Sequence, residues 1–162
     1  GAKFGKIILK RSDELFNNDK DSLGYYLKSV SLFGTNFVDN QEEYNTLRNS
    51  GLMELIDNDS LVSKLQFKYS YHSHFKRLEA WISKFTELDK TANQKISSKT
   101  IGNTLYGPHG SYISNEPLNH YELNVLARKT GLFSYYAGKI KKSIISDSLL
   151  IIDIRKEIER HK

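Results

Sequence analysis

The chain has 162 residues, of which 38% are hydrophobic, 12% aromatic and 27% charged. That is one domain's worth of chain with enough apolar side chain to bury a core, and it excludes a disordered segment. Cysteine is absent, which excludes a disulfide framework, a thiolate metal site and a cysteine nucleophile.

The formal net charge is +5, and its placement matters more than its size. Residues 1–127 balance fifteen basic residues against fifteen acidic ones, whereas residues 128–162 set nine basic residues against four acidic ones. A basic C-terminal segment suits nucleic acid, anionic lipid or an acidic partner. Its cations do not form one dense stripe, and no RNP motif or zinc-finger spacing accompanies them, so a solvated helix face is the plainer reading.

Residues 3–18 place Phe4, Ile8 and Leu15 on one helical stripe. "NNDKDS" interrupts, and Asp19 or Asp21 is suited to cap a second helix by accepting a free backbone N–H. That helix carries Leu23, Tyr26, Val30 and Phe33 at spacings of three and four, and Gly34 closes it. Asp39 or Asn40 is expected to cap a short third helix, with Glu42 and Glu43 in its first turn, where the helix dipole favours anions. Tyr44 and Leu47 face its core side, and Ser50-Gly51 ends it. "LMELI" reads as a buried, tight connector.

Asn58, Asp59 and Ser60 then stand where caps belong, just ahead of the strongest periodic signal in the chain. Leu61, Leu65, Tyr69, His72, Phe75, Leu78, Ile82 and Phe85 follow steps of three and four, widened by Trp81 and Leu88. The spacing predicts a long helix over 59–95. Residues 102–120 hold both prolines, Pro108 and Pro117, and read as irregular. A fifth helix is expected from about Asn119 to Gly131, with Gly131 as its C-terminal cap. A last helix runs from about Leu132, with Phe133, Tyr136, Ile140, Ile144, Ile151, Ile154 and Ile158 as its stripe. Trp81, Ile82 and Phe85 are expected to bury against Ile140, Ile144 or Ile151. No alternating strand pattern, repeat or linker stands out.

The short helix with "LRNSGLMELIDNDSL", followed by the Tyr-rich "FKYSYHSHF", resembles an uncharacterised bacterial family, domain of unknown function 6090, over about Phe37 to Phe85. The resemblance implies an N-terminal transmembrane helix followed by a helical soluble region held outside the cytoplasm. It carries over no catalytic residue. No apolar run in this chain approaches the roughly 18–20 residues that span a bilayer, and no signal peptide is visible. Gly1-Ala2 accordingly reads as a junction left by cleavage, with the anchor removed ahead of it.

Reaction motifs are missing. An EF-hand loop started at Asp57 puts Leu61 at position 5 and Val62 where Gly belongs. A phosphate loop needs several glycines, and only Gly51 is present in that stretch. His72 and His74 are two apart, whereas zinc pairs on a helix use three or four; His72 lies on the apolar stripe and reads as a core histidine. There is no Glu-x-x-His pair and no GxSxG elbow. Paired carboxylates such as Glu157 and Glu159 read as solvated. The remaining candidates for ligand contact are Tyr106, His109, Tyr112 and His120, in or beside the irregular stretch, and Asp147, which sits near the apolar stripe and needs a partner if buried.

The expectation is an all-α, irregular helical bundle: one helical domain over 1–162 whose two long helices, near 59–95 and 132–161, lie antiparallel. The function expected is a non-catalytic, membrane-tethered interaction or sensory domain with a protein partner, no cofactor, no metal and no specific nucleic acid. Two alternatives stand beside it: an enzyme whose site is assembled from several helices, and a weak nucleic-acid-binding module using the basic C-terminal helix.

Overall fold

A computed structural model describes residues 1–32, 41–96 and 111–162. Within them lie six α-helices: α1 (Ala2–Asn18), α2 (Lys20–Leu32), α3 (Glu42–Asn49), α4 (Asp59–Ser83), α5 (Thr86–Lys95) and α6 (His120–Arg160), with a 3-10 turn at Leu52–Leu55. The protein is all-α; its β-structure among the described residues is one isolated antiparallel bridge between Ile96 and Tyr112. The residues group into two compact units, Gly1–Thr35 with Ala80–Tyr135, and Asn36–Glu79 with Tyr136–Lys162.

In the first unit, α1 packs on α2 and α2 on α5. Asp19 caps α2, its Oδ1 accepting the Ser22 N–H at 3.0 Å. Ile8, Leu15, Leu23 and Val30 are buried in this packing, as the spacing predicts, and so is Leu27, whereas Tyr26 is half-buried with the Phe4 ring stacked on it at 5.3 Å. Phe33, Gly34, Asp39 and Asn40 lie outside the described residues. Gly1 lies against the Phe133 ring and Gly5 against Thr130, so α1 runs antiparallel to the start of α6. At Gly5 the α1 backbone lies directly against the Thr130 side chain: an added Cβ would collide with Thr130 Oγ1 and stand 2.9 Å from its Cγ2. The Lys129 ammonium is buried here, donating to the Ser31 carbonyl at 3.1 Å and to Asp89 Oδ1 at 3.2 Å. It joins the last turn of α2, α5 and α6 through one cation.

In the second unit, Asn58 is the cap expected for α4. Its Oδ1 accepts the Leu61 N–H at 3.1 Å, while its Nδ2 donates to Glu157 Oε2 at 3.2 Å. Successive pairs then step in opposite directions along α4 and α6: Lys64 with Asp153, Lys68 with Asp147, and Phe75 edge-on to Tyr136. The α4 and α6 segments of this unit are therefore antiparallel. Tyr44 of α3 stacks on Tyr69 of α4 at 4.0 Å. His72 is buried on the stripe with its ring edge toward Tyr69. Gly51 adopts φ 76°, the left-handed conformation that glycine takes without a Cβ penalty, and so ends α3.

Five expectations are corrected. The long helix over 59–95 is two helices. At its C-terminal end the Lys84 and Phe85 N–H groups bond three residues back, to Trp81 and Ile82, and Phe85 leaves helical backbone at φ −80°, ψ 49°. The two helices expected at 119–131 and 132–161 are one, and Gly131 is interior to it. Leu126, Lys129, Thr130, Phe133 and Tyr136 are buried in one helical phase across that glycine, and this packing outweighs its propensity deficit of about 1 kcal/mol. In the "LMELI" connector only Met53 is buried, with Leu52 and Leu55 exposed. Trp81, Ile144 and Ile151, expected in the core, are each exposed, and Glu157, expected to be solvated, is buried. Asp147, Asp153 and Glu157 share the face of α6 turned to α4, where Lys68, Lys64 and Asn58 receive them.

Candidate functional site

The break after Ser83 has a consequence for the surface of the first unit. It turns Trp81, Lys84 and Phe85 toward one side of α6, where Tyr121, Val125, Arg128 and Leu132 recur at helical spacing beside Gly131. Together they line a cleft of about 650 Å³, within the range that takes a small organic ligand. Gly131 adds no side chain, and a Cβ built there meets nothing within 4 Å. The start of α6 is fixed by a reciprocal capping box: the Glu122 N–H donates to Asn119 Oδ1 at 2.9 Å and the Asn119 N–H to Glu122 Oε2 at 2.8 Å. Lys95 at the end of α5 holds the same Glu122 carboxylate at 2.8 Å.

The lining is chemically one-sided. Three aromatic side chains and two aliphatic ones supply the walls, with Trp81 54% and Tyr121 63% exposed. The polar atoms come from the Lys84 ammonium, the Arg128 guanidinium, the Trp81 indole N–H and the Tyr121 hydroxyl. Each of these can donate a hydrogen bond, the Tyr121 hydroxyl accepting one as well, and among the described residues no carboxylate lines the cleft. Arg128 lies 5.9 Å from the Phe85 ring centroid, a cation–π separation that holds the guanidinium over an apolar wall. The arrangement can pair an anionic group and bury an apolar or aromatic body. Among the described residues, no histidine or carboxylate lines it. Among the described residues, no three His, Asp or Glu side chains converge as metal ligands would.

Comparison with family models, with curated proteins and with solved structures found no match for this chain.

The residues singled out from sequence are scattered. Tyr106 and His109 lie outside the described residues. Tyr112 is 2% exposed and works as a clasp. Its N–H donates to the Lys20 carbonyl at 3.0 Å, its hydroxyl to the Glu116 carbonyl at 2.8 Å, and its ring meets Phe16 edge-on. Burial pushes its phenol up to about 12. Lys20 Nζ adds a bond to the Ser114 carbonyl at 3.1 Å. His120 is exposed at the first residue of α6, next to cleft residue Tyr121 but not lining the cleft itself. Asp147 is half-buried rather than buried and pairs with Lys68 at 3.2 Å, in the second unit. None of these brings the others into a common site among the described residues.

The cleft was missed because Trp81 and Phe85 were read as core and Tyr121, Val125 and Arg128 were not singled out. The signal that could have found it is small: Trp81, the sole tryptophan, lies one residue off the stripe formed by Phe75, Leu78 and Ile82.

Proposed function

We propose that the chain is a non-catalytic recognition domain of the interaction or sensory kind, and that its ligand is an organic anion with an apolar or aromatic body. The observation that carries this reading is the cleft whose polar groups are all donors and whose walls are apolar. Such a lining offers complementarity to a carboxylate, sulfonate or phosphate, and it supplies no acid–base pair for chemistry. The membrane tether and an extracytoplasmic location rest on the resemblance to domain of unknown function 6090. Fractionation of the natural protein tests them: recovery from membranes only after detergent supports the tether, and release by alkaline carbonate overturns it.

The ligand reading is testable because Trp81 is the sole tryptophan. Titration with 2-naphthoate is expected to quench its fluorescence saturably, with the neutral 2-naphthylmethanol at least tenfold weaker. Lys84→Gln with Arg128→Gln is expected to abolish that preference while leaving the helical circular dichroism unchanged. Equal affinity for the acid and the alcohol would overturn the reading.

A further inference from the structure

The outer face of the last helix in the second unit is apolar where a solvated helix is polar. Ile144, Ile145, Leu149, Ile151, Ile152 and Ile158 are each between 47% and 60% exposed. At about 100° per residue, Ile145, Leu149 and Ile152 fall within roughly 60° of arc, on the side away from buried Leu150 and Glu157. Ser148, in the middle of this patch, turns its hydroxyl back to the Ile144 carbonyl at 2.9 Å, so its polar hydrogen is taken up within the helix. Lys141 and Lys142 stand one turn before Ile145, and Arg155 and Lys156 one turn after Ile152.

Three of the four acids of the segment are turned to α4, and the fourth, Glu159, lies two turns beyond Ile152 on the outer face. Asp147 pairs with Lys68, Asp153 with Lys64, and Glu157 is buried against Asn58, which leaves Glu159 as the exposed carboxylate. α4 thus takes up three of these four negative charges, and the outer face keeps aliphatic surface bracketed by cations. This sorting locates the excess charge noted in residues 128–162.

We infer that this face docks on an anionic lipid surface, lying in the interface rather than crossing it. Among the described residues no helix is long and apolar enough to cross a membrane, whereas a helix with an apolar face and basic flanks lies in the headgroup region. Charge selects the occupant. A second copy of the chain is disfavoured in either orientation, because cations at both ends of the patch meet cations whether two helices pair parallel or antiparallel. A protein groove is disfavoured by composition, since the patch offers only aliphatic side chains on a convex surface and none of the Trp or Tyr anchors that concentrate binding energy. A lipid interface asks only for buried aliphatic surface and for Lys and Arg near the headgroups.

The test is flotation of the chain with vesicles of 7:3 phosphatidylcholine and phosphatidylglycerol, against pure phosphatidylcholine, at about 150 mM salt. Binding is expected to the anionic vesicles only. Neutralising Lys141, Lys142, Arg155 and Lys156 to Gln is expected to weaken it roughly fivefold per cation. Leu149→Ser with Ile152→Ser is expected to remove it with the circular dichroism unchanged, because both side chains are exposed. Lys84→Gln with Arg128→Gln is expected to bind vesicles as the parent does, which separates this face from the cleft. No binding to either vesicle, or equal binding to both, overturns the proposal. So does a concentration-dependent dimer in sedimentation that Leu149→Ser abolishes, because it assigns the face to a second copy.

Discussion

Gly5→Ala tests the closest helix contact in the first unit. Two effects of opposite sign compete. In a helix interior, alanine is favoured over glycine by about 1 kcal/mol. Against this, the new methyl carbon would stand 2.9 Å from Thr130 Cγ2 and 3.0 Å from its Cβ, where carbon atoms prefer about 3.5–4.0 Å. Rotating the Thr130 side chain relieves the first contact but not the second, because Cβ does not move with χ1. α1 must therefore withdraw from α6, and overpacking of this kind costs about 1–3 kcal/mol. Taking the upper end, since backbone-attached atoms must shift, the net loss is about 2 kcal/mol. Urea unfolding followed at 222 nm should show a lower midpoint with an unchanged slope. Thr130→Ala removes Oγ1, which has no hydrogen-bond partner among the described residues, together with Cγ2. In that background Gly5→Ala should cost about 1 kcal/mol less, a coupling expected only of residues in contact. If Gly5→Ala alone raises the midpoint, propensity acts unopposed and the close approach of the two helices is refuted.

Asn58→Ala removes the α4 cap and one partner of Glu157, and should cost about 1–2 kcal/mol by urea unfolding; a change within experimental error would show that water replaces both bonds. The Glu157 carboxyl is held below the ordinary range by the Asn58 side chain, then by His161 and Arg160, and the Asp153 carboxyl by Lys64. Lowered folded-state values mean that the unfolded chain takes up protons first, so this stability is fully present above the ordinary carboxylate range. It is lost as pH falls through the lower folded values, below about 4. Urea midpoints measured from pH 6 to pH 3 should fall at the acid end, less steeply in Asn58→Ala; a midpoint that rises on acidification would contradict the assignment. Ile144→Ala should change stability by less than about 0.5 kcal/mol, because that side chain is 59% exposed. A loss of 2 kcal/mol would place Ile144 in the core.

The helical class and most helix starts were legible in the sequence because each rests on local chemistry. Asp19, Asn58 and Asn119 stand before their helices with side-chain oxygens that can accept a backbone N–H, and all three do so. The stripe through Leu61, Phe75, Leu78 and Ile82 is buried because only one face of α4 is apolar there. α6 defeats the same reasoning. Its C-terminal half is apolar on two faces, so periodicity cannot choose between them, and the choice falls to ion pairs with α4 that are 79 and 89 residues distant in sequence. The residue cues at Gly131 and Trp81 misled for a related reason. A glycine after two basic residues resembles a cap, but the buried positions on either side of it stay in phase, and Trp81 borders the stripe without joining it. The cleft depends on the turn at Lys84 and Phe85, whose residues carry no glycine or proline to mark a break.

The Tyr112 clasp has a consequence for how the protein is made. Lys20 and Ser114, which the clasp joins, are 94 residues apart in the chain. A ribosome adding roughly 5–20 residues per second needs roughly 5–20 s to cover that distance, whereas a helix forms within about a microsecond. α1 and α2 therefore take shape early and then wait, with Leu23, Leu27 and Val30 lacking the later-made half of their unit. The first segment of the second unit, up to Glu79, emerges during that wait, and its second segment, from Tyr136, follows the clasp. Completion of the first unit is paced by synthesis rather than by helix formation, and a nascent chain stalled before Tyr112 would hold α1, α2 and α5 without the clasp and without the Lys129 ammonium that joins Ser31 to Asp89.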